Sequence, residues 1–271
     1  MKTTKLLQSM AAACAMVVAG AAAAAPIYPT FTVDTSALGG GGSLGTFVAN
    51  DISGQYHEQI TFTSASTFMV SLDFVAQGFN YDDTNAANSK SLTAAQTGLG
   101  SNYQLLATLT GSGTYSTSGG STSCSLTPGA ALSLSYDAGA NATFNAPASP
   151  GGAYTINANG DTITELANGA VITGNGTVGC TAPNLCGSFG QSNTFALTAA
   201  GSSFFVSPIP FYSITLESGQ FEGFPVVAGT TVTSSGTVNI VMGVVPEPTD
   251  VALVGVALLG LGLAIKRRRT L

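Results

Sequence analysis

The chain has 271 residues, a length that suits one large all-β domain or two small ones. Only 7% of its residues are charged, against about 25% in an average soluble domain, and tryptophan is absent. Residues 26–245 contain one basic side chain, Lys90, and eleven acidic ones, so this region has a charge of about −10. Phosphate contacts need lysine and arginine, so this distribution argues against a nucleic-acid partner.

The first 25 residues have the pattern of a secretory signal peptide. Two lysines precede an apolar run of small residues from Met10 to Ala24, and residues 23–25 offer a small-x-small cleavage pattern. We therefore predict cleavage between Ala25 and Pro26. A buried alanine-rich helix and a lipoprotein site at Cys14 are the alternatives, although Cys14 lacks the usual branched residue three places before it.

Residues 26–243 are predicted to form a secreted β-rich domain. Apolar and polar residues alternate in short runs, which places one set of side chains in a core and the other in water. No helical periodicity and no repeat of fixed length is visible. The predicted strands cover residues 59–63, 68–75, 103–109, 131–136, 162–166, 170–173, 204–206, 212–217 and 230–241.

Turn chemistry separates these runs. Asn-Gly pairs stand at 159–160, 168–169 and 175–176, and both residue types tolerate the positive φ of tight hairpin turns. Many short strands with such turns favour an all-β fold, specifically a β-sandwich or jelly-roll-like domain. The segments 39–43 and 111–123, rich in glycine, serine and threonine, are predicted to be mobile loops.

Three cysteines remain once the signal peptide is removed: Cys124, Cys180 and Cys186. An oxidising compartment favours a disulfide, and we predict Cys180–Cys186, which would close a short loop. Pairing of Cys124 with either of the others is the alternative. The odd count leaves one thiol that is free or intermolecular.

The sequence predicts no catalytic site, cofactor or metal site. Its only histidine, His57, lies in a predicted strand where alternation puts Tyr56 and Glu58 on one face and the imidazole on the other. Eleven acids leave a carboxylate pair for glycoside hydrolysis open as an alternative, although Asp82-Asp83 fits a solvated loop. Asn157–Asp161 with Glu165 offers oxygen ligands for calcium, but a hairpin turn explains the same residues.

Residues 244–271 carry the most specific pattern in the chain. Pro246, Glu247 and Pro248 precede an uncharged run from Val251 to Ile265. A helix of this run is about 22 Å long, short against a hydrocarbon core of about 30 Å but sufficient where flanking residues reach the interfaces. The prolines stop the helix and hold the preceding segment extended, as a processing protease requires.

Four basic residues follow the apolar run directly. By the positive-inside rule they stay in the cytoplasm and leave the body of the chain outside. We therefore predict a single transmembrane helix with a basic membrane stop. The residues of that stop are Lys266, Arg267, Arg268 and Arg269.

Together, the Pro-Glu-Pro motif, the short Gly/Leu-rich apolar run and the arginine-rich end resemble the PEP-CTERM sorting signal of Gram-negative bacteria. The resemblance implies recognition by exosortase, an inner-membrane enzyme with a cysteine-protease-like site. Members of this family are exported proteins of biofilm and exopolysaccharide producers and are often glycosylated. The resemblance covers about 28 residues and implies a sorting route, so it says nothing direct about the body.

The mature N-terminus carries a second resemblance. Residues 29–34 and 47–58 look like PEP-CTERM proteins associated with flocculation. The leading hypothesis is therefore a matrix or cell-surface protein that acts with exopolysaccharide in floc or biofilm cohesion. A secreted carbohydrate-binding module and a secreted polysaccharide hydrolase are the alternatives; the absence of tryptophan argues against strong sugar stacking, and the single histidine argues against hydrolysis.

Overall fold

A computed structural model describes residues 28–39, 44–81, 90–179 and 185–243. This part of the chain is mainly β-structure, which confirms the all-β prediction. The strands are β1 (Phe31–Asp34), β2 (Thr46–Ala49), β3 (Asp51–Phe62), β4 (Thr67–Tyr81), β5 (Lys90–Ser91), β6 (Gln104–Ser118), β7 (Ser121–Leu126), β8 (Ala131–Asp137), β9 (Thr143–Asn145), β10 (Thr155–Asn157), β11 (Ile163–Val178), β12 (Leu185–Thr194), β13 (Ala196–Leu197), β14 (Phe205–Ser207), β15 (Ile214–Glu222) and β16 (Thr231–Gly243). Two short helices, α1 (Ala94–Thr97) and α2 (Ala199–Phe204), complete the described elements.

The main sheet closes on itself. Its strands follow one another in chain order: β3, β4, β6, then β7 together with β8, then β11, β12, β15 and β16. The last strand, β16, pairs with the first, β3. All neighbours are antiparallel, so this is an up-and-down meander of eight strand positions. β7 and β8 share one position, since both pair with β6 on one side and β11 on the other.

This closed sheet corrects the prediction of a β-sandwich or jelly-roll-like domain. Period-two alternation only says that one face of each strand is buried. That face can point into a closed sheet or against a second sheet, and the sequence pattern is the same in both cases. The long register between β3 and β16, the first and last strands of the ring, closes it, and pairing between strands so distant in sequence leaves no mark in a local pattern.

Two of the three predicted turns are wrong. Asn168-Gly169 and Asn175-Gly176 lie inside β11, which also joins the strands predicted at 162–166 and 170–173. The segment 111–123, predicted as a mobile loop, belongs to the β6–β7 hairpin, with its turn at Gly119-Gly120. Only Asn159-Gly160 makes a turn, with φ of 48° and 100°.

Large side chains occupy much of the interior of the closed sheet, and glycines on neighbouring strands make room for them. A Cβ on Gly54 would come within 2.3 Å of the Phe74 ring. A Cβ on Gly219 would come within 2.6 Å of the Phe189 ring. Part of the high glycine content is therefore a packing requirement of the interior.

Replacing Gly54 by alanine is expected to lower the free energy of unfolding by about 2 kcal/mol, because the added methyl group overlaps the Phe74 ring and the Val75 carbonyl. Gly190 is the matched control, since a Cβ there would meet only the Glu217 carbonyl at 3.9 Å. Urea denaturation of both variants checks this. Equal stability of the two would contradict the packing argument.

One end of the closed sheet, called the cap below, is covered by the small sheet β14–β1–β2 and by α2. Aromatic rings fill the space beneath it. Tyr103 stacks on Tyr136 with ring centroids 5.1 Å apart, and Phe204 contacts Phe205 edge to face at 5.0 Å. β16 also ends at this cap, where Gly243 pairs with Ile214.

The connection between β8 and β11 covers part of the outside. It contains the β9–β10 hairpin and lies over β3 and β4. The Tyr154 amide donates to Ser71 Oγ at 2.9 Å, and the Gly151 amide donates to Thr61 Oγ1 at 3.0 Å. β4 is thus shielded from solvent on its outer face, whereas most other strands of the ring are open there.

Candidate functional site

The residues predicted for sorting and processing lie outside the described residues or have no described side chain. This holds for the cleavage site, the sorting motif, the membrane stop and the disulfide: Ala25, Pro26, Pro246, Glu247, Pro248, Lys266, Arg267, Arg268, Arg269, Cys180 and Cys186. Asp82-Asp83 also lies outside them. Within the described part, no helix is long and apolar enough to cross a membrane. Cys124 is a free, half-buried thiol, and burial raises its pKa to about 11.

A row of uncharged polar side chains runs across the outer face of the closed sheet. Cross-strand register joins one residue from each of seven successive strands, and each of these residues is exposed. At about 4.8 Å per strand the row runs about 29 Å around the sheet. Its members, from β6 to β3, are Ser116, Ser123, Thr177, Ser188, Gln220, Thr237 and Gln55.

A second row runs beside the first, two residues along each strand and about 7 Å away. It contains Thr114, Ser125, Asn175, Gly190, Ser218, Asn239 and Ser53. We call the two rows together the polar belt. It contains no ionisable and no aromatic side chain.

Few of the belt's polar groups bond to each other. Ser125 Oγ donates to Asn175 Oδ1 at 3.1 Å, and the Thr177 and Ser188 hydroxyls lie 3.1 Å apart. Hydroxyl and amide groups both donate and accept hydrogen bonds. An exposed surface of such groups can therefore bond a neutral polyhydroxylated partner without desolvating any charge.

The belt is convex because the sheet is closed. Thr177 on β11 and Gln55 on β3 stand four strand positions apart in a ring of eight, on opposite sides of the molecule. Among the described strands, β4 interrupts the belt, which meets Val75 from the β3 side and Thr67 from the β6 side. An extended polymer touching one side therefore leaves the other side free.

The outer face also holds the single histidine, as alternation predicts. Tyr56 and Glu58 are buried inside the sheet, whereas the His57 side chain is 64% exposed. Its Nδ1 lies 3.1 Å from Oδ1 of Asp73, whose side chain is only 4% exposed. Burial raises the pKa of Asp73, and the His57 bond opposes that rise.

Ser235 stands opposite His57 on β16, so aspartate, histidine and serine occupy neighbouring strands in one line. Among the described residues, no hydrogen bond joins the Ser235 hydroxyl to the imidazole. A nucleophile needs its base within hydrogen-bond reach. Asp73 therefore positions the His57 ring, but the described residues lack the serine–histidine contact of a hydrolytic site.

Two carboxyl groups of the described residues point into the interior of the closed sheet. Glu217 accepts hydrogen bonds from Gln191, from Asn193 at 2.7 Å and from Thr215 at 3.2 Å. Burial raises its pKa to about 7, and these bonds oppose the rise. Burial alone raises the pKa of Glu58 to about 7. Alternation places Glu58 on the buried face, but its distance from other polar groups depends on strands far away in sequence.

Of the candidate calcium ligands, Asn157, Asn159 and Asp161 belong to one turn. Asn141 donates to the Asp161 carboxylate at 2.7 Å, and Asn159 donates to the Asn141 carbonyl at 2.6 Å, so these groups serve a turn. Glu165 lies on β11, where Ser133 donates to it. In the part of the chain that the structure describes, there is no group of three or more acidic, histidine or cysteine side chains that could hold a metal.

The fold and the belt define an all-β domain with a closed antiparallel sheet and an uncharged polar belt on its outer face. We find no match to this chain among protein-family models, curated proteins or solved structures.

Proposed function

We propose that this is an exported matrix or cell-surface protein that acts with exopolysaccharide in biofilm or floc cohesion. Its residues 244–271 serve as a PEP-CTERM sorting signal, by which the inner membrane holds the chain until exosortase processes it. The single observation that carries the cohesive role is the polar belt, which offers hydroxyl and amide groups on opposite sides of one rigid domain.

The chemistry of the belt suits a neutral or weakly charged polysaccharide. Sugar hydroxyls replace water in hydrogen bonds to serine, threonine, asparagine and glutamine side chains. Each such bond contributes little, about 0.5–1.5 kcal/mol, so useful affinity requires many of them along an extended polymer. The length of the belt supplies that number.

A convex belt also favours bridging over simple binding. A polymer lying across one side contacts only part of the ring, so a second polymer can bind the opposite side. Two weak sites on one rigid body raise the overall avidity of a network without any new contact. This is the physical basis for cohesion in the proposal.

The position of Gly243 fits transient anchoring. The last described strand ends at the cap, and the proposed sorting signal follows directly. While the tail holds the chain in the inner membrane, the cap is the end nearest to the bilayer. The described hairpin ends opposite the cap, and the belt around the strands, then face away from it.

Deleting residues 246–271 is expected to abolish processing and at least halve floc or biofilm mass. The reason is that exosortase loses both its extended motif and the membrane segment that presents it. Intact mass spectrometry of the exported protein, combined with a sedimentation assay of the cells, measures both effects. The wild-type protein should lack Met1–Ala25 and end before Leu271.

A charge-conserving variant provides the control. Replacing Arg267, Arg268 and Arg269 by lysine keeps the membrane stop and should leave processing unchanged, whereas alanine at the same positions should reduce it. Recovery of exported wild-type protein that still ends at Leu271 would refute the sorting proposal. Unchanged aggregation on deleting the whole gene would refute the cohesive role.

A further inference from the structure

A cavity of about 80 Å³ lies inside the closed sheet, in the half away from the cap. Its wall is largely apolar and includes Ile60, Val70, Leu109, Phe189 and Phe221. A closed sheet of eight strand positions has an interior that side chains can just fill or that can hold one small ligand. Side chains therefore fill the half of this interior nearest to the cap, whereas the other half keeps an unfilled cavity.

One carboxyl group faces this apolar space. Glu58 lines the cavity and is only 8% exposed. Its Oε1 is fully buried and has no hydrogen-bond partner among the described residues. A buried acceptor without a partner costs about 1–3 kcal/mol, so the fold retains an unfavourable group at this position.

Glu217 shows that the interior can satisfy a carboxyl group. It accepts hydrogen bonds from Gln191, Asn193 and Thr215. The Gln191 side-chain amide is therefore already bonded to Glu217. Cys124 also lines the cavity and contributes a thiol, which is a weak donor. Water is a poor occupant here, because a buried water needs two to four polar partners.

We propose that the cavity binds a small primary amine with a short alkyl chain. The ammonium group donates to Glu58 Oε1, and the alkyl chain packs against Ile60, Phe189 and the other apolar walls. A charge-assisted hydrogen bond to a buried carboxylate is about twice as strong as a neutral one. The amine also neutralises a buried carboxylate whose Oε1 has no hydrogen-bond partner among the described residues. This site is separate from the polar belt and does not depend on the sorting signal.

Titration of the purified protein with n-butylamine at pH 8 tests this site by isothermal calorimetry. We expect 1:1 binding with a Kd of about 1 mM, in keeping with so small a ligand. Glu58→Gln should weaken binding at least tenfold, because the amide carries no charge to pair with the ammonium. Glu165→Gln removes an exposed carboxylate and should leave the Kd unchanged.

A second variant keeps Glu58 and removes the space. Cys124→Met fills the cavity from β7 and should abolish binding of n-butylamine, while far-ultraviolet circular dichroism stays that of the wild type. n-Butanol in place of the amine should bind at least tenfold more weakly. The proposal is overturned if the wild-type protein does not bind n-butylamine, if Cys124→Met binds it normally, or if n-butanol binds equally well.

Discussion

Replacing Glu58 by glutamine is expected to raise the free energy of unfolding at pH 8 by about 3 kcal/mol. Burial raises the pKa of this carboxyl from an ordinary value of 4.5 to about 7 in the folded protein. Each unit of such a shift corresponds to about 1.4 kcal/mol. Glutamine has nearly the same shape but no charge to bury, so the penalty at high pH disappears.

The sign of the pH dependence follows from proton binding. Between about pH 4.5 and pH 7 the folded state holds a proton that the unfolded state has lost, so stability falls as the pH rises through this window. Below the window both states are protonated, and above it both are ionised. The wild-type protein should therefore be more stable at pH 5 than at pH 8.

Glu217→Gln gives a contrasting control for this prediction. Glu217 has a similarly raised pKa, so this substitution should also flatten the pH dependence. Its carboxyl group accepts three side-chain hydrogen bonds, however, and an amide nitrogen there would face donors. Glu217→Gln should thus lose stability at pH 5, where Glu58→Gln should not. Urea denaturation at both pH values measures this, and an unchanged slope for Glu58→Gln would contradict the prediction.

Local sequence patterns located parts of the long strands but missed β7 and β12, and they did not give the assembly of the strands. Alternation predicts β3 and β4 and correctly assigns His57 and Glu58 to opposite faces. Asn175-Gly176 misleads because the pair favours a turn only where the chain must reverse. Inside β11, Gly176 pairs with both Cys124 and Phe189, and these neighbours on two other strands hold it extended.

The polar belt and the cavity arise from register between distant strands. Ser123 and Thr177 are 54 positions apart in the chain, yet they pair directly. Serine and threonine in these strands are visible in the sequence, but nothing local shows that they line up as a continuous surface. The same holds for Glu58, whose lack of a partner depends on what β7 and β12 place across from it.

Charges introduced on one side of the polar belt are expected to abolish bridging but to spare binding. Thr177→Glu with Ser188→Glu changes one side, and Gln55→Glu with Thr237→Glu changes the other. Each pair leaves the opposite side intact, so the affinity for extracted exopolysaccharide should fall only a few-fold while aggregation is lost. All four substitutions together should lower the affinity about 100-fold, because unpaired carboxylates must lose their water on contact.

The matched control adds the same charge away from the belt. Ser202→Glu with Ser203→Glu places two carboxylates on the exposed face of α2, at the cap, and should change neither binding nor aggregation. Co-sedimentation with the polysaccharide measures affinity, and a cell-settling assay measures cohesion. If a one-sided variant still aggregates cells, bridging through opposite sides is wrong. If even the four-fold variant keeps its affinity, the belt is not the binding surface, because charges on both of its sides would then have left binding unaffected.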